Sequence, residues 1–254
     1  MTMPPEGALE VEVSLTPDPS PEGRGAIPAV NERHSLTEAS VERLWLLPQR
    51  AAYWPRMETL LIADAHLGKA AAFRRAGVAV PSGTTADNLD RLSALVTLLA
   101  PRRIAFIGDL VHDAAAQRAA ASAFKRWRET HRAIDLLLVR GNHDRRTGVT
   151  WSDWPIECVD EPYAIDSLAL VHVPQPLAGR YAIGGHVHPA FSLAGRGRER
   201  LRLPCFHVTS DYAVLPAFGA FTGMADVEPK PGDRIYVAAD SQVIAVATMG
   251  HGRR

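Results

Sequence analysis

The chain has few cysteines and no long apolar run, and its charges cancel. Cys158 and Cys205 are the only cysteines among 254 residues, too few for a disulfide framework and compatible with a reducing cytoplasm. No segment approaches the roughly 20 apolar residues of a membrane-spanning helix, and no signal-peptide pattern opens the chain. Because 28 basic residues balance 28 acidic ones, no net charge attracts the chain to a membrane or polyanion. These features predict a cytoplasmic protein with no membrane partner.

The N-terminal part is rich in proline, glycine, glutamate and serine, and it includes the stretch LTPDPSPEGRG at positions 15–25. Such a composition cannot bury enough apolar surface to fold by itself. We therefore expect a disordered extension over residues 1–36. The remainder, residues 37–250, is long enough for one domain with a substantial core, beginning with an edge strand near residues 41–47.

Apolar, β-branched runs indicate buried strands. Helical spacing of apolar residues appears only between the strands of the first half of the chain. One helix is predicted from an N-cap at Thr84 or Thr85 to the residue before Pro101, and another over 115–130. Strands separated by helices imply right-handed crossovers and a parallel sheet. Short strands in the second half predict a second sheet, near 156–160, 163–165, 168–173, 180–185, 201–208, 211–216, 233–238 and 242–248. We expect an α/β fold, a two-sheet sandwich flanked by helices in four αββα layers.

Five fragments with acidic, amide or imidazole side chains follow such strands, where ligands collect in open α/β sheets. They are Asp64-Ala65-His66, Gly108-Asp109, Gly141-Asn142-His143-Asp144, His172 and Gly185-His186-Val187-His188. Oxygen and imidazole donors together suit Mn²⁺, Fe²⁺ or Zn²⁺. Two such ions roughly 3.5–4 Å apart can assist displacement at phosphorus. In extended backbone, Asp64 and His66 would project to the same side, and Asp109 alone at a strand end suits a bridging ligand.

The five fragments, in this order, resemble the motifs of the calcineurin-like metallophosphoesterases. The resemblance implies a hydrolase with two divalent ions, Mn²⁺ being expected and Fe²⁺ or Zn²⁺ possible. The first ion would be held by Asp64, His66, Asp109 and His188, and the second by Asp109, Asn142, His172 and His186. His143 would lie beside the phosphate as general acid, with Asp144 orienting its imidazole. His112 could face this site, but we expect it to lie outside, and His172 alone would more often be a core histidine.

The sequence around the motifs resembles one family of metallophosphoesterases, the bacterial ligase-associated DNA damage response endonucleases of the PdeM type. The matching segments, within residues 38–238, are LLPQRAAYWP from Leu46, DAHLGK from Asp64, FRRAG from Phe73, VP from Val80, RLPCF from Arg202 and LPAFGAFTG from Leu215. The resemblance implies an Mn²⁺-dependent phosphodiesterase and DNA endonuclease, with an ATP-dependent DNA ligase and a helicase in the same pathway. We expect Lys69, Arg74 and Arg75, and then Arg145, to contact substrate phosphates.

Two other functions remain open from the sequence. One is a phosphodiesterase or phosphatase for small molecules such as cyclic nucleotides or nucleotides. The other is a metal-stabilised scaffold in a repair assembly, with little catalysis. An intact His143 beside a full ligand set favours an enzyme over a scaffold.

Overall fold

The computed structural model describes residues 3–14, 41–80, 83–146, 148–194 and 199–246. The strands are β1 (Leu9–Ser14), β2 (Val41–Leu47), β3 (Ala51–Trp54), β4 (Thr59–Ala63), β5 (Arg103–Ile107), β6 (Asp135–Val139), β7 (Glu157–Val159), β8 (Tyr163–Ile165), β9 (Leu168–Leu170), β10 (Tyr181–Gly184), β11 (Pro189–Ala194), β12 (Arg200–Val208), β13 (Tyr212–Val214), β14 (Ala225–Asp226), β15 (Arg234–Ala238) and β16 (Val243–Val246). The helices are α1 (Lys69–Arg75), α2 (Thr84–Leu99) and α3 (Ala114–Thr130), with one 3₁₀ turn at Pro55–Met57.

The strands form two sheets. The first has seven strands in chain order from β1 to β7, antiparallel through β4 and parallel from β4 to β7. The second has nine strands, with β14, β11, β12, β13, β10, β9 and β8 in sequence across it and with β15 and β16 branching from β12. Within it, β9, β10 and β13 are parallel neighbours. The predicted α/β sandwich of two sheets is confirmed.

Alternation along the strands places the main core between the sheets. Leu61, Ile107 and Val139 of the first sheet pack with Leu170 and Ile183 of the second. Their chain neighbours point the other way and pack beneath the helices, which explains why the central parallel strands are continuously apolar.

The helices cover one side of the sandwich. Leu92 of α2 and Phe124 of α3 pack against the outer face of the first sheet, and α1 and α2 both contact α3. Helix α2 begins at Thr84 with Gly83 as its N-cap, so the expected threonine cap is wrong. Within the described ranges no helix follows α3. In these ranges the layers are therefore helices, first sheet and second sheet, without the predicted helical layer on the second sheet.

The N-terminal prediction is wrong for Leu9–Ser14, which forms β1 and pairs with β2. Val11 and Val13 face the core while Glu10 and Glu12 face outward. This alternation was missed because the segment that follows is rich in proline. Consequently Val41–Leu47 is an interior strand and not the edge. The predicted disorder of residues 15–36 concerns positions outside the described ranges.

Other differences concern short strands. The segment Glu157–Val159 belongs to the first sheet, beside β6, and not to the second sheet. Strands β3, β11 and β14 were not predicted: β3 and β14 are brief, and β11 begins directly after the motif that ends at His188. None of the helices in the described residues has the length and apolar character needed to cross a membrane.

Candidate metal centre

The predicted ligands meet where the two sheets face each other. Two groups have donor atoms that all lie within 4.8 Å of one another: Asp64, His66 and His188, and separately Asp109, His172 and His186. Each group combines residues from both sheets, because Asp64, His66 and Asp109 follow β4 and β5 while the other histidines follow β9 and β10. The first group contains three of the four ligands expected for the first ion, and the second contains three of the four expected for the second.

The carboxylate of Asp109, a member of the second group, also faces the first. Its Oδ2 is 4.0 Å from Nε2 of His66, and its Oδ1 is 3.6 Å from Nε2 of His172. One oxygen therefore faces each group, as a bridging ligand requires. Asp64 also lies near both, with Oδ1 3.7 Å from Nε2 of His188 and 3.8 Å from Nδ1 of His172.

Asn142 adds a neutral oxygen to the second group. Its Oδ1 lies 2.8 Å from Nε2 of His172, and Nδ1 of His186 lies 3.0 Å from the same nitrogen. Three lone-pair donors thus converge beside Asp109. His186 and Asn142 are exposed, so this group is the one that opens to solvent.

Several buried donor atoms at the centre lack a hydrogen-bond partner within the described part of the chain. They are Oδ1 of Asp64, both ring nitrogens of His66, Nδ1 of His172 and Nε2 of His188. Buried polar atoms are rarely left unpaired, and a divalent cation would satisfy these. The residues present therefore fit a pair of metal ions.

Burial also prepares two of the imidazoles for metal binding. Desolvation strongly lowers the pKa of His66 and also lowers the pKa of His172. Both rings are therefore neutral near pH 7, the form that donates a lone pair to a cation. Desolvation raises the pKa of Asp109, an effect that a bound cation would oppose.

Most of the predicted ligands occupy left-handed backbone. Nine non-glycine residues of the described chain have positive φ, and five of them are predicted ligands: Asp64, His66, Asp109, His186 and His188, with φ between 45° and 66°. The expected extended backbone at Asp64 and His66 is therefore wrong. Left-handed residues of this kind are uncommon, and they concentrate at functional sites, where the surrounding structure holds them.

Gly108 allows His172 to approach. A side chain there would overlap the His172 ring, and φ is +72°; Gly179, with φ +70°, has nothing within 4 Å of the same position. We expect Gly108→Ala to destabilise the fold by about 1–3 kcal/mol more than Gly179→Ala, because it adds a steric clash to the same backbone strain. Thermal unfolding and metal content would test this. Equal effects of the two substitutions would contradict the tight packing.

The loop bearing His143 is held by groups that the sequence did not reveal. Nδ1 of His143 lies 2.7 Å from the carbonyl oxygen of His112, and the two rings stack with centroids 4.4 Å apart. The expectation that His112 lies outside the site is wrong. Nε2 of His143 is 3.8 Å from Oδ2 of Asp109. The imidazole therefore has its Nδ1 fixed and its Nε2 facing the centre.

Asp144 does not orient the His143 imidazole, contrary to the prediction. Its carboxylate accepts the backbone N–H groups of Gly141, at 2.9 Å, and Val111, at 3.3 Å. Burial raises the pKa of Asp144 to about 7. The side chain instead ties the loop after β6 to the loop after β5, so any effect on His143 is exerted through the backbone. Sequence spacing carries no signal for this connection.

The predicted substrate contacts differ in their surroundings. Burial lowers the pKa of Lys69, whereas Asp109 and Asp64 raise it, so this ammonium lies within electrostatic reach of the centre. Arg74 donates to the carbonyl of Val80 at 3.4 Å. The other two cations face carboxylates: Arg75 lies 4.0 Å from Asp113, and Arg145 pairs with Asp160 and Glu161 at 3.0 and 3.4 Å.

Glu161 connects Arg145 to the centre. Its other oxygen accepts the backbone N–H of His172 at 2.6 Å. Arg145 is thus engaged in an ion-pair network that supports a ligand-bearing loop.

Comparison with known proteins gives two matches. The family model described as calcineurin-like phosphoesterase matches residues 57–174. A solved structure, a nuclease named MPE from Pseudomonas putida, is 38% identical and superposes with a TM-score of 0.70 over 81% of this chain and 96% of that chain. None of the curated proteins compared with the chain matches it.

Proposed function

Because the chain belongs to the calcineurin-like phosphoesterase family, and is thus a metal-dependent phosphoester hydrolase, we propose that it is an Mn²⁺-dependent phosphodiesterase that cleaves DNA internally. The observation that carries the proposal is the pair of adjacent three-residue groups that could each hold a metal ion, with Asp109 of the second group also facing the first. The nuclease name of the solved structure supports DNA as the substrate. The mixed oxygen and imidazole donors support manganese, and they also accept iron or zinc.

The proposed ligands are the seven predicted side chains, with Asp109 shared between the two ions. Bound there, the cations would polarise a phosphodiester and lower the pKa of a water molecule. The chain's own residues would do the rest. The exposed Asn142 and His186 mark the side from which a phosphate enters, and the amide oxygen adds no negative charge to repel it.

His143 is proposed to move the proton. The His112 carbonyl accepts from Nδ1 and fixes the ring plane, which leaves the Nε2 proton of the imidazolium for the leaving oxygen. Nε2 lies 3.8 Å from Oδ2 of Asp109, so the ring faces the proposed ion pair. General acid assistance of this kind is typically worth about 10²–10⁴ in rate.

The test is cleavage by purified protein supplied with Mn²⁺, Fe²⁺ or Zn²⁺, using an internally labelled DNA oligonucleotide, bis-p-nitrophenyl phosphate and cyclic nucleotides. Internal DNA cleavage, fastest with Mn²⁺, is the expected result. Cleavage of nucleotides alone would favour a small-molecule phosphodiesterase. Failure to cleave any phosphodiester would favour a metal-stabilised scaffold. Anomalous scattering from crystals grown with manganese would count the ions.

The cellular setting is part of the same proposal. A DNA phosphodiesterase of this type would act beside an ATP-dependent DNA ligase and a helicase in repair, in the cytoplasm. The free thiols Cys158 and Cys205 are compatible with that reducing compartment.

A further inference from the structure

A groove of about 760 Å³ lies on the outside of the molecule, away from the metal ligands. One wall is the exposed side of α3, and the other is the segment 150–155. Its floor is apolar, because Phe124 stacks on Trp154 with ring centroids 4.1 Å apart. A groove of this volume lies within the range of known ligand sites, about 300–1,000 Å³.

The groove is rigid. Gln117 of α3 binds the backbone of Thr150 twice, donating from Nε2 to its carbonyl and accepting its N–H at 3.0 Å. Nε1 of Trp151 donates to the carbonyl of Asp144 at 3.4 Å. The second wall is therefore fixed both to the helix and to the loop that carries His143.

The walls are basic in a chain whose total charge is zero. Arg118, Lys125, Arg128 and Arg132 line the groove, against two carboxylates, Glu129 and Asp153. Arg118 and Lys125, seven residues apart, lie on the same face of α3. At about 1.5 Å per residue, Arg118 to Arg128 spans roughly 15 Å of helix, about the length occupied by four or five phosphates at roughly 3.4 Å each.

The second wall of the groove follows the His143 loop along the chain. After Asn142 and His143 the chain reaches Arg146, whose backbone N–H donates to the carbonyl of His143 at 3.1 Å and whose side chain is an exposed cation. It then passes over the first turn of α3, where a methyl placed on Gly148 would lie 3.3 Å from Cβ of Ala114, and forms the wall at 150–155. The second wall is therefore reached along the chain from the loop that carries His143, with Arg146 between them.

We propose that this groove, which we call the α3 groove, binds the phosphodiester backbone of the nucleic-acid substrate at a distance from the bond being cut. The inference rests on the proposed nuclease function and adds a second contact region to it. A polyanion suits the excess of cations, and the apolar floor suits the sugar and base faces of the same strand. The α3 groove holds the substrate and takes no part in the chemistry.

Two adjacent side chains give a matched test. Lys125 and Arg126 are both exposed cations on α3, but only Lys125 lines the groove. We expect Lys125→Gln to raise KM for a 20-nucleotide DNA strand roughly two- to fivefold, the size of one screened charge contact, and Arg126→Gln to leave it unchanged. Neither substitution should alter kcat/KM for bis-p-nitrophenyl phosphate, which is too small to reach the groove.

A double substitution enlarges the effect and can be compared with a control variant of equal net charge. R118Q/K125Q should raise KM for the strand roughly tenfold and lower the dependence of log KM on log salt concentration by about one unit per cation removed. R102Q/R126Q, with the same net charge and neither residue in the groove, serves as the control. We also expect the native protein to have a lower KM for longer strands, and R118Q/K125Q to show a smaller difference between long and short strands.

The outcomes separate the two proposals. If the native protein hydrolyses bis-p-nitrophenyl phosphate but no nucleic acid, the proposed function fails. If it cleaves DNA while K125Q and R126Q behave alike, the groove proposal alone is overturned. Competition by a polyglutamate peptide that is lost in R118Q/K125Q, without any change in KM for the strand, would also overturn it, in favour of an acidic protein partner.

Discussion

Asp109→Asn is expected to remove metal from both ligand groups and to reduce phosphodiester hydrolysis beyond the roughly 10–100-fold that loss of an outer partner costs. The substitution keeps the shape of the side chain and an acceptor for the backbone N–H of His143, which Oδ1 binds at 2.9 Å. It removes the negative charge that faces His66 on one side and His172 on the other. The loss should therefore be specific to cation binding.

Metal content measured after dialysis, together with turnover of bis-p-nitrophenyl phosphate, would check this result. Asp90→Asn is the control, since Asp90 is an exposed carboxylate on α2. An Asp109→Asn protein that retains two ions per chain and near-native turnover would show that the two groups do not depend on a shared carboxylate.

His143→Ala is expected to behave differently. It should keep both ions, because the ring is not among the converging donors, and lose about 10²–10⁴ in rate on substrates with a poor leaving group. The loss should be much smaller for p-nitrophenolate, which departs without needing a proton. Rates for an alkyl and a p-nitrophenyl ester, measured with the metal content, would separate proton transfer from metal binding.

His112 offers a control for this prediction. His112→Phe keeps an aromatic ring to stack on His143 and keeps the backbone carbonyl that holds Nδ1. It should therefore retain most of the activity that His143→Ala loses. If His143→Ala is as active as the native protein on the alkyl ester, the role of general acid is excluded.

The sequence predicted that the candidate ligands would lie together, because each follows an apolar strand and strand ends gather at one edge of a parallel sheet. Asp64, Asp109 and Asn142 follow three adjacent parallel strands, β4, β5 and β6. That they lie together therefore required only the strand order. The roles assigned to these residues and to His143 stay predictions.

The contacts that the sequence did not predict join loops that are far apart in the chain, and the spacing of residues in the sequence carries no information on how such loops approach each other. The contact of His112 with His143 joins two loops, and the carboxylate of Asp144 binds the backbone of a third position, Val111. The partners of Arg145, Asp160 and Glu161, come from beyond β7. Strand β1 was missed for a different reason, since its period-two alternation is only six residues long and composition around it suggested no structure.

Both ligand groups draw on loops from opposite halves of the sandwich. A cation held in either one would cross-link the halves without any covalent bond. Metal binding and folding are then thermodynamically linked. A free ion concentration of 100 times the dissociation constant raises the free energy of unfolding by about 2.7 kcal/mol for each site. In a cell where the ion becomes scarce, the protein would lose its resistance to unfolding together with its catalytic power.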